Sequence, residues 1–190
     1  NGTKKYPTTE DVNIIESVGG LQNAYTDIDI TNYHNKVLST DWELALSINK
    51  ELATKPLLEQ KHIDKERDVI LEEMKRYEDE PAAKVGEAFH AMMYPGTTLG
   101  MRIIGEVASM KAADAATLRA YHDRLYSPER MVVTLAGNVK FQMSNIKMKT
   151  EEWFGALKKQ QETRDKRQGN GFDVVKDGQS KPQLSVITKP

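Results

Sequence analysis

A 3.6-residue periodicity runs through residues 62–78 and stops before Pro81, so the chain must fold around one long amphipathic helix. With Glu66 set at zero and about 100° per residue, Ile63, Ile70, Met74 and Tyr77 fall between roughly 20° and 80°, and Val69 near roughly −60°. These five define the apolar arc that a helix buries against its neighbours. Glu73, near roughly −20°, and Glu66 lie inside that arc, two turns apart. Asp64, Lys65, Asp68, Glu72, Lys75 and Arg76 mostly take the other side. A buried carboxylate has to be neutral, paired with a cation or bound to a metal. The pattern alone leaves open an ion pair with a Lys or Arg of another element, and a metal or catalytic role.

Around this helix the chain alternates periods. Thr8 or Thr9 caps a first helix with Glu10 and Asp11 in its first turn, Val12, Ile15 and Val18 on one face, and Gly19-Gly20 as its stop. Residues 21–27 and 30–37 read as two strands joined at Asp27-Ile28-Asp29. A second helix begins near Ser39-Thr40-Asp41, with Trp42, Ala45, Leu46 and Ile48 apolar, and Pro56 closes it. Further helices are expected over 82–93, 113–125 and 145–157, with a Gly-punctuated connection over 96–111. Residues 131–136 read as a buried strand, 172–175 and 183–187 as shorter ones, and 158–180 as a polar linker. An early hairpin among alternating helices and strands makes the class α+β.

Composition narrows the partners. The 190 residues are 38% hydrophobic and 29% charged, enough for a real core, and carry a net charge of −1. That balance gives no electrostatic case for nucleic acid or an anionic membrane. No apolar run reaches the length of a membrane span. With no cysteine, disulfides and thiolate metal sites are excluded. Asn1-Gly2-Thr3 has no initiator Met and no targeting signal, so the sequence reads as an internal segment and its compartment stays open, with bacterial periplasm and cytoplasm as the leading alternatives.

Several ordered motifs carry a resemblance. Gly2-Thr3-Lys4-Lys5-Tyr6-Pro7 resembles the segment just after the inverted zinc motif, His-x-x-Glu-His, of the pitrilysin/insulinase metallopeptidases. Gly19-Gly20-x-x-Asn23-Ala24-Tyr25-Thr26 and Thr31-Asn32-Tyr33 look like that family's substrate-edge strand and its neighbour. Glu66-Arg67-Asp68-Val69-Ile70-Leu71-Glu72-Glu73 is similar to its downstream glutamate helix. Asp79-Glu80-Pro81, Tyr94-Pro95-Gly96, Leu99-Gly100, Ile104-Gly105 and Tyr126-Ser127-Pro128-Glu129-Arg130-Met131 continue in register, to about Val139.

The resemblance implies a mixed sheet packed with helices, an incomplete LuxS/MPP-like metallohydrolase half-domain. Residues 1–140 would be most of the N-terminal peptidase half-domain, and 141–190 a helix, a linker and the start of the next. Glu73 matches the family's third zinc ligand. Glu66 matches a supporting carboxylate that can hydrogen-bond a ligating His. Two histidine ligands of the single zinc ion are not in this chain: none of His34, His62, His90 and His122 begins a His-x-x-Glu-His, and surface or capping roles are expected for them. Peptide substrate would pair as an added strand with Asn23, Ala24, Tyr25 and Thr26. Tyr33 and Trp42 are expected in the core. The implied activity is that of a zinc endopeptidase working with a homologous half or subunit, as homo- or heterodimer. A non-catalytic partner or scaffold subunit of the same family is the alternative, and the retained Glu66 and Glu73 favour the peptidase.

Overall fold

The computed structural model describes residues 2–137, 143–157 and 183–187. They divide into two compact units interleaved along the sequence, one of residues 24–32 and 58–119, the other of residues 2–23, 33–57 and the described residues from 120 onward. The strand expected over 172–175 and the linker over 158–180 lie outside the described residues.

In the second unit the N-terminal segment is pinned by its own backbone. The Thr3 amide donates to the Tyr6 carbonyl (2.8 Å), and the Leu57 amide donates to the Gly2 carbonyl (3.0 Å). Position 2 takes glycine because a Cβ there would sit 2.4 Å from the carbonyl oxygens of Tyr6 and Pro7. Helix α1 (Thr9–Val12) starts with a reciprocal cap in which the Asp11 amide donates to Thr8 Oγ1 (3.1 Å) and the Thr8 amide to Asp11 Oδ2 (3.0 Å). The single helix expected here is broken at Asn13, and α2 (Ile14–Ser17) follows. Gly19, at φ +72°, turns the chain out of it.

Strands β1 (Leu21–Thr26) and β2 (Thr31–Lys36) form a two-stranded hairpin, closed by the Asp27 amide donating to the Ile30 carbonyl (2.8 Å). Helix α3 (Trp42–Thr54) supplies the second unit's core: Ala45 and Ile48 pack with Tyr6 and Ile15, bordered by Val12, Val37, Leu44 and Leu52. Polar groups at this core are satisfied. Ser47 Oγ takes Lys5 Nζ at 2.6 Å and lies 3.0 Å from the Tyr6 hydroxyl. The buried Glu51 carboxylate meets Lys50 at 3.1 Å and Lys55 at 3.3 Å. Asn35 donates to the Ala45 carbonyl (3.0 Å), which fastens β2 to α3. Tyr33 and Trp42 are half-buried at the margin rather than in the core. Burial, with Tyr126 alongside, pushes the Tyr33 phenol well above its ordinary pKa.

Helix α8 (Met143–Gly155), two residues earlier at each end than expected, buries Ile146, Thr150 and Phe154 and ties to α3 through the Lys149–Glu43 ion pair. Strand β3 (Val132–Ala136) pairs in parallel with β4 (Gln183–Ile187), Val132 opposite Gln183 and Ala136 opposite Ile187. The expectation of a buried strand at 131–136 does not hold: Val132, Thr134 and Ala136 are exposed while Val133 and Leu135 are half-buried. A short apolar run cannot by itself separate a strand covered on both faces from one covered on one. The described strands form two two-stranded sheets, β1 with β2 and β3 with β4.

The first unit is helical apart from the hairpin tip. Helix α4 (Gln60–Glu78) buries Ile63 and Met74 and packs on α5 (Pro81–Met93) and α6 (Val107–Ala112). Residues 96–111, expected to be only a connection, contain a 3-10 turn (Thr98–Gly100) and all but the last residue of α6, a helix too short to declare itself by periodicity. A Cβ at Gly100 would lie 2.4 Å from the Tyr94 carbonyl oxygen, which explains the glycine. Helix α7 (Ala115–Leu125) starts two residues later than expected because Asp114 Oδ1 accepts the Thr117 amide (2.7 Å) as a cap. At the other end of α4, Arg102 pairs with Glu78 (2.9 Å) and with Glu87 of α5 (3.0 Å).

Ile48 is completely buried and Val132 is 68% exposed. Ile48→Ala should therefore cost about 2–5 kcal/mol, and Val132→Ala within about 0.5 kcal/mol. Urea unfolding followed by circular dichroism measures both, and equal losses would contradict the core as described.

Candidate metal and substrate site

The candidate site residues sit on α4 and β1. The buried stripe of α4 runs through Ile63 and Met74, with Arg67, Ile70, Leu71 and Tyr77 half-buried. On the helical wheel its centre is near roughly 80°, further round than the apolar residues alone indicated. Val69, counted in the arc from the sequence, is 56% exposed. Glu66 is exposed and the Glu73 side chain is 42% exposed, so neither is the buried carboxylate that the sequence pattern implied. Both stand on the flank of the stripe, Glu66 exposed and Glu73 half-buried. Glu73 has a loose ion pair with Arg76, Oε1 to Nη2 at 4.0 Å, and Glu72 is engaged by Lys75 at 2.5 Å. Glu73 is thus a part-exposed acid with one loose ion pair.

Asn23, Ala24, Tyr25 and Thr26 are exposed along β1. Residues 24–26 and all of α4 belong to the same unit, and Asn23 belongs to the other. Of the histidines, His34 is exposed, and His62 lies 4.0 Å from Glu59. His90 makes an edge contact with the Tyr94 ring. His122 is the inward one: its Nε2–H donates to the Ala53 carbonyl at 2.9 Å, near the end of α3, and its ring stacks on Tyr126 at 4.5 Å. A capping role describes it. Among the described residues no three His, Asp or Glu side chains converge as a metal site. A catalytic zinc takes three protein ligands, so a single carboxylate from α4 would be one of the three.

What the wheel missed is on the other flank of α4. Gln60, Asp64 and Arg67 form a polar strip, and Asp64 Oδ1 accepts both Gln60 Nε2 and Arg67 Nη1 at 2.7 Å. Arg67 then donates through Nε to the Met110 carbonyl (3.2 Å) and through Nη2 to the Ala113 carbonyl (2.5 Å), at the end of α6. Gln60 Oε1 accepts the Ala115 amide at 2.9 Å. The signal in the sequence was the i, i+4, i+7 spacing of polar residues beside the apolar stripe; which carbonyls they reach depends on α6, which periodicity did not reveal. The side-chain bond from Gln60, then that from Arg67, holds the Asp64 carboxyl below its usual pKa, and the Thr117 amide does the same for Asp114.

Comparison with known proteins places the chain in a family. Residues 1–107 match the family described as Insulinase (Peptidase family M16), and residues 112–189 match the Peptidase M16 inactive domain. The chain belongs to the insulinase, or M16, peptidase family. It is 35% identical over 138 residues to an uncharacterized zinc protease of Streptomyces coelicolor, covering 73% of this chain and 30% of that protein. It is 36% identical over 126 residues to the probable mitochondrial-processing peptidase subunit beta of Arabidopsis thaliana, covering 66% of this chain and 24% of that one. The chain thus spans about a third or less of the length of these relatives. A protease from Helicobacter pylori has the same fold at a TM-score of 0.75 and 23% identity, over 85% of this chain and 39% of that one. The first half of the periplasmic protease PqqL from Escherichia coli matches at 0.71 and 22% identity, over 90% and 38%. These likenesses bear out the α+β fold. No helix among the described residues is long and apolar enough to cross a membrane.

Depressed carboxyls set the acid response of α4 and α7. Asp64 and Asp114 contribute stability that is present above the unfolded carboxylate pKa of about 3.9. It is lost as pH falls through their lower folded values. Helical signal at 222 nm should fall on acidification below about pH 4, and Asp114→Asn should flatten that slope. An unchanged slope in the variant would remove Asp114 from the account.

Proposed function

We propose that this chain is part of a zinc-dependent endopeptidase that cleaves peptides and unfolded polypeptides bound as an added strand along Asn23, Ala24, Tyr25 and Thr26. The observation that carries this is the placement of Glu73: a part-exposed carboxylate on a helix fixed by buried Ile63 and Met74, in a family whose relatives are named zinc proteases. Glu73 supplies one zinc ligand. Glu66, two turns earlier on the same flank, orients a ligating histidine by accepting its ring N–H. The two histidines come from a His-x-x-Glu-His segment that this chain does not contain. Bound zinc in such a site supplies Lewis acidity toward the scissile carbonyl and lowers the pKa of a water molecule. The exposed β1 residues bind backbone to backbone, which tolerates varied peptide sequence.

In this proposal residues 1–140 belong to the peptidase half-domain and 141–190 lead into the next, and the active assembly pairs homologous halves or subunits. The names of two similar proteins, a subunit beta and a first half, support that pairing. A second reading, a non-catalytic partner subunit, draws on the match of residues 112–189 to an inactive domain. Helix α4 lies outside that stretch and retains both glutamates, which favours the peptidase.

Substitutions on α4 in the full-length protein test this. Glu73→Gln keeps size and removes the anionic ligand, so zinc content and turnover of an unstructured peptide should both collapse. Glu66→Gln should lower affinity or activity by about 10–100-fold while zinc stays measurable at saturating metal. Glu72→Gln, roughly 100° from Glu73 and occupied with Lys75, should do little. If Glu72→Gln were the most damaging of the three, the ligand assignment on this helix would be wrong. For the 190-residue chain alone, one ligand is too few: equilibrium dialysis should find no stoichiometric zinc at micromolar concentration, and finding it would contradict the ligand count.

A further inference from the structure

We infer that Arg67, with Gln60 and Asp64, is a positioning device that sets the rotation of α4 about its axis and so places Glu73 and Glu66. The inference rests on the ligand reading of Glu73. Its basis is geometric. The buried stripe of α4 has two flanks, one carrying Glu66 and Glu73, the other carrying Gln60, Asp64 and Arg67. Apolar burial of Ile63 and Met74 holds the helix against its neighbours but is non-directional, so it resists rolling poorly. Hydrogen bonds are directional. The Arg67 fork reaches two separate carbonyls, of Met110 and Ala113, and its third arm is held by Asp64 at 2.7 Å. Gln60 adds a bond one further turn along, to the Ala115 amide. The strip therefore grips the α6–α7 junction from both sides, through the carbonyls ending one helix and the amide starting the other.

The geometry also gives the size of the effect. At a radius of about 5 Å from the helix axis, a roll of about 10° moves a carboxylate by about 1 Å. A displacement of about 1 Å at a reacting centre can cost about 100-fold. Arg67 is fit for this task as lysine is not, because a planar guanidinium fixes two acceptors at once and an ammonium fixes only a point charge. The Arg67 side chain is 20% exposed, so water does not readily replace the carbonyls it holds.

The test uses the full-length protein, with zinc affinity measured by chelator competition, kcat and KM on an unstructured peptide, and the melting midpoint. Arg67→Lys should weaken zinc binding and lower kcat by about 10–100-fold at a temperature well below its midpoint, with KM unchanged. Asp64→Asn should act in the same direction, and the double variant should lose less than the product of the two, since both act through one network. If Arg67→Lys fails to fold, Gln60→Ala, which removes only the bonds to Ala115 and Asp64, carries the same test with a smaller loss of both quantities. A lowered midpoint with zinc affinity and kcat intact would make the strip purely structural and overturn the inference. If instead Glu73→Gln leaves zinc affinity and turnover intact, the ligand reading fails first, and the inference falls with it.

Discussion

The ligand role proposed for Glu73 depends on the rotation of α4 being fixed, and the contacts of the first unit bear on that one helix. Ile63 and Met74 anchor the stripe. The Arg67 strip grips the junction of α6 and α7 on one flank. At the C-terminal end, Arg102 joins Glu78 to Glu87 of α5, and Lys84 pairs with Glu78 as well. Exposed ion pairs contribute little one by one. Here the Arg102 side chain is 21% exposed and bridges two helices, so its value is geometric more than energetic.

The second unit solves a different problem, which is how a small core keeps its polar groups satisfied. Tyr6, Ile15, Ala45 and Ile48 make the apolar centre. Ser47 and Glu51 are buried on the same helix, α3, and each has its partner supplied by lysine. Without Lys50 and Lys55, Glu51 would be an uncompensated buried charge, the costliest arrangement for such a side chain. The same economy appears at His122, whose ring N–H satisfies a carbonyl near the end of α3.

Sequence and structure agree most where a long period decides. The α4, α5 and α3 helices, the β1–β2 hairpin and the Gly19 stop were legible because several independent signals coincide at each: period, cap and breaker. They part where elements are short. The first helix splits at Asn13, α6 emerges within what read as a connection, and β3 shows an exposed face where its apolar residues suggested burial.

The sequence by itself determined that Glu66 and Glu73 share one helical side, that β1 is a strand with small and polar residues, and that the chain carries the ordered motifs of an insulinase-type peptidase. The first two follow from backbone periodicity, which needs no neighbour; the third is a resemblance of motifs. Only the tertiary structure decided which arc of α4 is buried. A helical wheel ranks residues by polarity, but burial is set by the direction from which α5 and α6 approach. That direction turned the stripe toward Arg67 and Leu71, left Val69 in solvent and moved both glutamates from the core face to its flank. Burial of charge, the reason the two residues first stood out, thus gave way to exposure of a carboxylate on a rigidly held edge.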